Sequence, residues 1–391
     1  MSDFEKSSMR VSRKLSKMKP LVSIIIPAYN AEEWIGFTLQ SAIAQTWPRK
    51  EVIVVNDGSN DRTLEIAERF ASKEVLVVST ENRGAGAARN HAFRLSQGDY
   101  IQWLDADDLL APDKIERQLM TALKASSDQI LLSGPWASFY YRIGPARFVP
   151  TSLWHSLSPV EWLIHKLSEN LHMQTATWLT SRRLTEAAGP WDSSLINDDD
   201  GEYFCRVLLS SEGTCFVPDA KVFYRVTSSS RTSYIGNSDK KKDSHVRSMR
   251  LHIHYLLSLE DSERVRKAGL TYLQNWYETF YPERPDLVAE LQSLASQLQG
   301  CLQEPRLRWK YKWVKPIFGW KTAKWAQRSL PQVKNWAIRH YDKALYTFEN
   351  DYSPSNYSGS GGLKISRTAH CDPDELERAA LKSAKRDVNT W

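Results

Sequence analysis

Three carboxylates close a short apolar run: Asp105, Asp107 and Asp108 follow Tyr100-Ile101-Gln102-Trp103-Leu104, which itself begins after the turn at Gly98. Closely spaced aspartates can hold a hard divalent cation against phosphate oxygens, and ligands of open α/β sheets gather outside the carboxyl ends of the strands. The aromatic and branched residues of the run predict a buried strand, so the acid falls at its carboxyl end. A second reading fits the same residues, in which Asp107 or Asp108 starts the helix that follows Pro112. Another acidic run, Asn197-Asp198-Asp199-Asp200-Gly201, stands before a helical stretch over 201–209 that carries Glu202 and Arg206. By itself such an acid reads as the cap of the helix.

The elements that position these groups are written in the hydrophobic pattern. Val22 to Ile26 predicts a buried strand stopped by Pro27, and Trp34, Phe37, Thr38 and Ser41 recur at helical spacing before the break at Thr46-Trp47-Pro48. A second strand, Glu51 to Val55, ends in Asn56-Asp57-Gly58-Ser59, and Leu64, Ile66, Ala67 and Phe70 form the next helical pattern. A third strand, Val75 to Val78, leads through Asn82-Arg83-Gly84-Ala85-Gly86 into a helix of small residues. Three rounds of strand, loop and helix before the acidic stretch predict an α/β fold, with a mostly parallel sheet and helices on both faces. Beyond Pro112, Ile115, Leu119 and Leu123 predict an amphipathic helix, Gln129 to Tyr141 a strand, and 175–189 a strand and short helix. Thr214 to Phe216 and Lys221 to Arg225 read as closing strands.

Several classes are excluded. Gly84-Ala85-Gly86-Ala87-Ala88 begins like a dinucleotide fingerprint, but its closing position is Arg89 and it follows the third strand, whereas the fingerprint belongs at the first βα turn. No phosphate loop ending in Gly-Lys-Ser/Thr is present. The 391 residues, 41% hydrophobic, are enough for one large domain and an appendage. Cys205, Cys215, Cys301 and Cys371 show neither a Cys-x-x-Cys pair nor zinc spacing, which fits a reducing compartment. The basic start (Arg10, Arg13, Lys14, Lys17, Lys19) lacks the apolar core of a secretory signal, and no apolar run is long enough to span a bilayer. A cytoplasmic protein is expected. Its formal charge of +6 is modest.

Four features stand in order at strand ends: Pro27-Ala28-Tyr29-Asn30, Asn56-Asp57-Gly58-Ser59, the stretch from Gly84 to Asn90, and Asp105-Ala106-Asp107-Asp108. Together they resemble the family 2 glycosyltransferases, enzymes of the GT-A fold that move a sugar from a nucleotide diphosphate donor, usually with inversion. The resemblance covers roughly residues 20–235 and implies roles residue by residue. Pro27, Tyr29, Asn30 and Glu32 would cradle the nucleotide, and Asp57 would accept the N–H of a uracil-like base, as a pure acceptor can; in isolation the Asp57 tetrapeptide reads first as a strand-ending turn with a helix cap, and the resemblance reverses that. Asp105, with Ala106 beside it, would meet the ribose, and Asp107 would hold Mg²⁺ or Mn²⁺ against the diphosphate. Arg83, Gly84 and Arg89 would face phosphate charge, although Arg89 on a helix also fits an ion pair. The acidic pair that supplies the family's base maps to Asp199 and Asp200. Asp200 is the expected base and Asp199 the alternative, since Asp stands where Glu is commonest at the first position. Val226-Thr227-Ser228 stand where some relatives carry a histidine.

The expected organisation is a basic lead-in over 1–20, a GT-A domain over 21–235 (nucleotide half 21–128, acceptor half 129–235), a helical basic region over 236–348 and a tail over 349–391. Residues 306–341 contain no acid, while Arg306, Arg308, Lys310, Lys312 and others alternate with Trp309, Trp313, Trp320, Trp325 and Trp336. Such a stretch can lie on an anionic membrane from the inner face or pack as an ordinary helix. No known nucleic-acid module is present, and no nucleic-acid partner is expected. The resemblance implies a metal-dependent inverting transferase that uses a nucleotide sugar, most simply a uridine diphosphate sugar. The acceptor would be a saccharide, lipid-linked or other hydroxyl, in cell-surface polysaccharide or glycoconjugate synthesis. The alternative is an inactive sugar-nucleotide-binding or scaffold protein of the same fold.

Overall fold

The computed structural model describes residues 19–125, 127–227, 235–236, 238–304, 316–317, 322 and 335–349. Strand and helix alternate from the start: β1 (Val22–Ala28), α1 (Ile35–Ile43), β2 (Lys50–Asp57), α2 (Thr63–Glu68), β3 (Val75–Thr80), α3 (Ala85–Leu95) and β4 (Tyr100–Trp103). There follow β5 (Leu109–Leu110), α4 (Lys114–Ala125), β6 (Ile130–Ser133), β7 (Trp136–Phe139), β8 (Arg147–Phe148), α5 (Pro159–Ser168), β9 (Thr180–Ser181) and α6 (Arg182–Ala188). Then come α7 (Asp199–Leu209), β10 (Gly213–Phe216), β11 (Val222–Arg225), α8 (Asp239–Leu259), α9 (Glu263–Phe280) and α10 (Pro285–Gln297).

The central sheet has the order β3-β2-β1-β4-β9, parallel except for β9. The chain moves outward from β1 to β3 and then returns to place β4 on the other side of β1. The order therefore reverses between β1 and β4, and the crevice at their carboxyl ends is where such sheets bind ligands. Alternate residues of the strands serve two cores. Ile25, Ile53, Val55, Ile101 and Trp103 face one, while Val22, Ile24, Ile26, Val52 and Val54 face the other. Burial on both faces is why these strands read as continuous apolar runs. The first core continues without a break into Leu256, Leu273, Phe280, Leu291 and Leu302 of the helical region. Helices α5, α6, α8 and α9 each begin at a serine whose hydroxyl accepts a first-turn N–H.

Two elements depart from expectation. Pro27 does not stop β1, which runs to Ala28 and keeps its register with β2. In this strand Val22 faces β2 and Ile25 faces β4, so the nitrogen of Pro27 also points to the β4 side. There β4 pairs only as far as Ile25, and the missing donor costs nothing. The strand expected over 129–141 is two: Gly134-Pro135 divides β6, which pairs with β10, from β7, which pairs with β11 and β8. A side chain at Gly134 would run into the Ala220 carbonyl, so the crossing needs glycine.

The described residues up to Lys343 form one compact unit, in which residues 335–343 are helical; those from Ala344 are a second, with 344–349 helical. Most of the basic lead-in, most of 306–334 and the tail after 349 lie outside the described residues. Among the described residues no helix is long and apolar enough to cross a membrane.

Candidate functional site

Asp105 follows β4, and its Oδ1 accepts a hydrogen bond from Arg89 Nη2 on α3 at 2.7 Å. The other end of the same guanidinium, Nη1, donates to Asp199 Oδ2 at 2.9 Å. Arg89 thus ties the strand-end acid to the first turn of α7, a residue 110 positions away in the chain. Its side chain is 7% exposed and lies over the Trp191 ring, 4.3 Å from the centroid. Burial works against the Arg89 charge, but Asp105 and Asp199 outweigh it and the guanidinium is held more firmly protonated than in water. Trp191 is fixed in turn. It stacks on Tyr203 at 4.0 Å, and its backbone exchanges two hydrogen bonds of 2.8 Å with the Asn90 side chain.

The three acids after β4 have separate surroundings. Asp105 belongs to Arg89, and Asp107 is half-buried at the surface of the turn. Asp108 points inward without exposure, accepts the Arg225 N–H at 2.8 Å on Oδ1 and binds the Gln174 amide on Oδ2. It neither starts a helix nor faces the crevice. Burial, with Asp107 and Asp105 adding like charge, pushes its carboxyl well up. Ala106 is buried and its carbonyl accepts from Thr38. Arg225 Nε donates to the Asp107 carbonyl at 2.9 Å, so β11 braces the acidic turn from behind.

The nucleotide-side residues form two loops latched to one another. Asn30 has φ 47°, donates its N–H to Ser59 and accepts the Asn60 N–H on its side chain at 2.9 Å. Glu32 accepts the Arg62 N–H at 3.1 Å. These two side chains therefore hold the facing loop, and the half-exposed Tyr29 ring beyond Pro27 and Ala28 is the surface they present. Asp57 is buried, with one oxygen taking the Arg83 N–H at 2.9 Å and the other the Gly84 N–H at 2.8 Å. Each oxygen keeps a lone pair, so Asp57 shapes the loop and retains acceptor capacity. Gly84 has φ 88°, and the Arg83 side chain is exposed.

The acidic helix starts earlier than its pattern suggests. Helix α7 begins at Asp199, which places both Asp199 and Asp200 in its first turn. Asp199 is engaged by Arg89, whereas among the described residues Asp200 takes the Thr175 hydroxyl at 3.2 Å and the neighbouring Gly201 N–H at 2.9 Å. Burial first, and then the charges of Asp199 and Asp198, push the Asp200 carboxyl up to about 7. A group that exchanges its proton near neutrality suits general-base work.

Among the described residues no set of three metal-ligating side chains converges. That excludes an all-protein cage there but suits a magnesium-like ion, which is commonly held by one or two carboxylates and the substrate's phosphates. Asp107, half-buried at the turn after β4, could supply such a carboxylate. Sequence reasoning missed Trp191, Thr175 and the bracing Arg225, whose parts depend on partners far away in the chain.

Residues 23–145 match the sequence model of glycosyl transferase family 2. An uncharacterized glycosyltransferase of Rickettsia typhi is 34% identical over 205 residues, 51% of this chain and 62% of that protein. TuaG of Bacillus subtilis, a putative teichuronic acid biosynthesis glycosyltransferase, is 39% identical over 115 residues, 29% of this chain and 46% of its own. The chain thus spans less than two thirds of these relatives. Among solved structures, Staphylococcus aureus TarS residues 1–349 in complex with UDP matches with a TM-score of 0.57 at 20% identity, over 79% of this chain and 91% of that one. Its complex with UDP-GlcNAc gives 0.59. The shared feature at that identity is the fold, the expected GT-A arrangement of a mostly parallel sheet with a helical region after it.

Proposed function

We propose that this chain, which carries a glycosyl transferase family 2 domain, is a metal-dependent inverting glycosyltransferase. It moves a sugar from a uridine diphosphate sugar to a hydroxyl acceptor in cell-surface polysaccharide or glycoconjugate synthesis. The donor reading is supported by the UDP and UDP-GlcNAc complexes of the like-folded TarS, and the pathway by the likeness to TuaG.

The observation that carries the mechanism is the unequal treatment of the two acids on α7: Arg89 binds Asp199 and leaves Asp200 with a hydroxyl for company. Asp200 is the base. It takes the proton of the acceptor hydroxyl as that oxygen attacks the anomeric carbon, on the face opposite the departing diphosphate. Asp199 and Arg89 hold the first turn of α7 against Asp105, which meets the ribose. Tyr29 lies along the base, Asp57 accepts its N–H, and Arg83 with the Gly84 turn faces the phosphates. Mg²⁺ or Mn²⁺ held by Asp107 would neutralise the charge of the leaving diphosphate. The basic, tryptophan-rich stretch over 306–341 brings the enzyme to the anionic inner face of the membrane.

Turnover is read as UDP released from UDP-GlcNAc, and donor affinity by calorimetry with and without Mn²⁺. Asp200→Asn keeps donor affinity and loses turnover by orders of magnitude, while Asp199→Asn loses less. Normal turnover in Asp200→Asn together with loss in Asp199→Asn would move the base to Asp199. Activity retained by both removes the mechanism.

A further inference from the structure

The loop that leads into α7 is bound along its length by one helix of the region that follows the last strand. On α8, Arg247 donates to the Asp192 carboxylate at 2.8 Å and to the Ser194 hydroxyl at 2.6 Å. Ser244 Oγ accepts the Ile196 N–H at 3.0 Å and the Asn197 N–H at 3.2 Å, and His245 Nδ1 lies 2.9 Å from Asn197 Oδ1. Ser248 donates its hydroxyl to Asp198 Oδ2, and His252 Nδ1 stands 3.8 Å from that oxygen and 3.1 Å from the Tyr272 hydroxyl. Ser244, Ser248 and His252 recur every four residues and so share one face of α8.

Asp198 is the unusual member. It occupies the N-cap position of α7 yet makes no side-chain cap bond, and its φ of 58° lies in the left-handed region. A non-glycine residue stays there only where its surroundings over-determine it. Here they do: the carboxylate turns back over Gly201, where a Cβ would collide with it, to reach Ser248.

We propose that Asp198, held by the Ser248 hydroxyl of α8, is a positioning residue for Asp200, fixing the charge and the angle with which α7 presents the base. This rests on the reading of Asp200 as the base. The helical region is then part of the catalytic apparatus, acting through a half-buried carboxylate that does not itself take the acceptor's proton.

The electrostatics agree in sign. Burial alone would raise the Asp198 carboxyl, but His252, Lys166 of α5, His245 and the Ser248 hydroxyl bring it down to about 2, so it is ionised at every working pH. Asp200 is faced by Asp198 and Asp199 from its own helix, by Arg89 from α3 and by Asp105 after β4. Removing the Asp198 charge therefore lowers the proton affinity of Asp200, whereas removing only the Ser248 hydroxyl leaves that charge ionised and less compensated and raises it.

The test reads Asp200 without any acceptor. With a folded-state value near 7 against an ordinary 3.8, Asp200 favours folding in its neutral form. Its contribution is complete below the ordinary value, declines as pH rises, and levels off once the folded-state value is passed. The unfolding midpoint of the full chain is followed against pH, each protein being compared with its own Asp200→Asn partner. The level-off should fall by about one pH unit in Asp198→Asn and should rise, by less, in Ser248→Ala, which strips a donor from a carboxylate that stays ionised. Ser248→Thr keeps the hydroxyl and should keep the wild-type profile. If Asp198→Asn fails to fold, Ser248→Ala carries the measurement. A level-off unmoved in Ser248→Ala, with Asp200→Asn inactive, overturns this inference alone. Turnover surviving in Asp200→Asn overturns the base reading and this inference with it.

Discussion

Arg89→Met tests the latch on which the geometry depends. The guanidinium makes charge-assisted hydrogen bonds of 2.7 Å to Asp105 and 2.9 Å to Asp199, with 7% of its own side chain exposed and 28% and 18% of theirs. Removing one member of a buried ion pair costs about 3–5 kcal/mol, chiefly because the remaining charge is left uncompensated. Asp105 is open enough to be hydrated, which argues for the middle of the range, about 4 kcal/mol. The stack on Trp191 adds little to the loss, since a thioether also packs well against a ring. With an unfolding entropy of about 2.1 cal/mol/K per residue over the unit that ends at Lys343, the midpoint should fall by about 6 °C at pH 7. The gap should narrow toward pH 5. Burial already raises the Asp199 carboxyl against the pull of Arg89, and without Arg89 it protonates earlier and sheds its penalty. The double variant Arg89→Met/Asp199→Asn should recover about 1–2 kcal/mol of the loss. Thermal unfolding of the full chain by circular dichroism reads all three quantities. A midpoint within about 1 °C of wild type at pH 7, or a gap that widens in acid, refutes the argument.

Gly201→Ala would ordinarily strengthen a helix by about 1 kcal/mol, but here the new Cβ meets the Asp198 carboxylate, so the midpoint should fall instead; a rise would show that Asp198 is not held. Asp107→Ala should abolish the Mn²⁺-dependent gain in UDP affinity while moving the midpoint by no more than about 2 °C, since the residue sits at a half-buried turn; calorimetry that shows equal Mn²⁺ enhancement in both proteins refutes the assignment. Asp342 accepts the Tyr141 and Arg142 N–H groups at 2.9 and 3.2 Å and the Arg142 Nε at 2.8 Å. Asp342→Ala should therefore release residues 335–343 and speed tryptic cleavage at Arg339 and Lys343. Burial opposes the Asp342 charge, but the Arg142 side chain and the two N–H groups overcome it and depress the carboxyl. The protection is therefore present above the ordinary carboxylate value of 3.8 and lost as pH falls below it. Unchanged cleavage at pH 7 would show that the contact contributes nothing.

The local pattern of the chain was enough to place β1 to β4, the mostly parallel character of their sheet and the strand ends at which acid would gather. A strand covered on both faces has to be apolar throughout, as Ile24 to Ile26 and Val52 to Val55 are, and such strands need helical crossovers between them. Pro27 misled because proline forbids a donor, and whether a donor is needed depends on where the neighbouring strand ends. The break between β6 and β7 was missed because Gly134 answers to the Ala220 carbonyl, far along the chain. The acids show the same division. Their positions after β4 and before α7 are plain in the sequence, yet nothing local tells Asp105, Asp107 and Asp108 apart, or Asp199 from Asp200. Tertiary structure separates them by partner: Arg89 for Asp105 and Asp199, the Arg225 backbone and Gln174 for Asp108, Ser248 for Asp198. A carboxylate's chemistry is set by burial and by the charges within a few ångströms, and those neighbours come from elements that the chain brings together only when it folds.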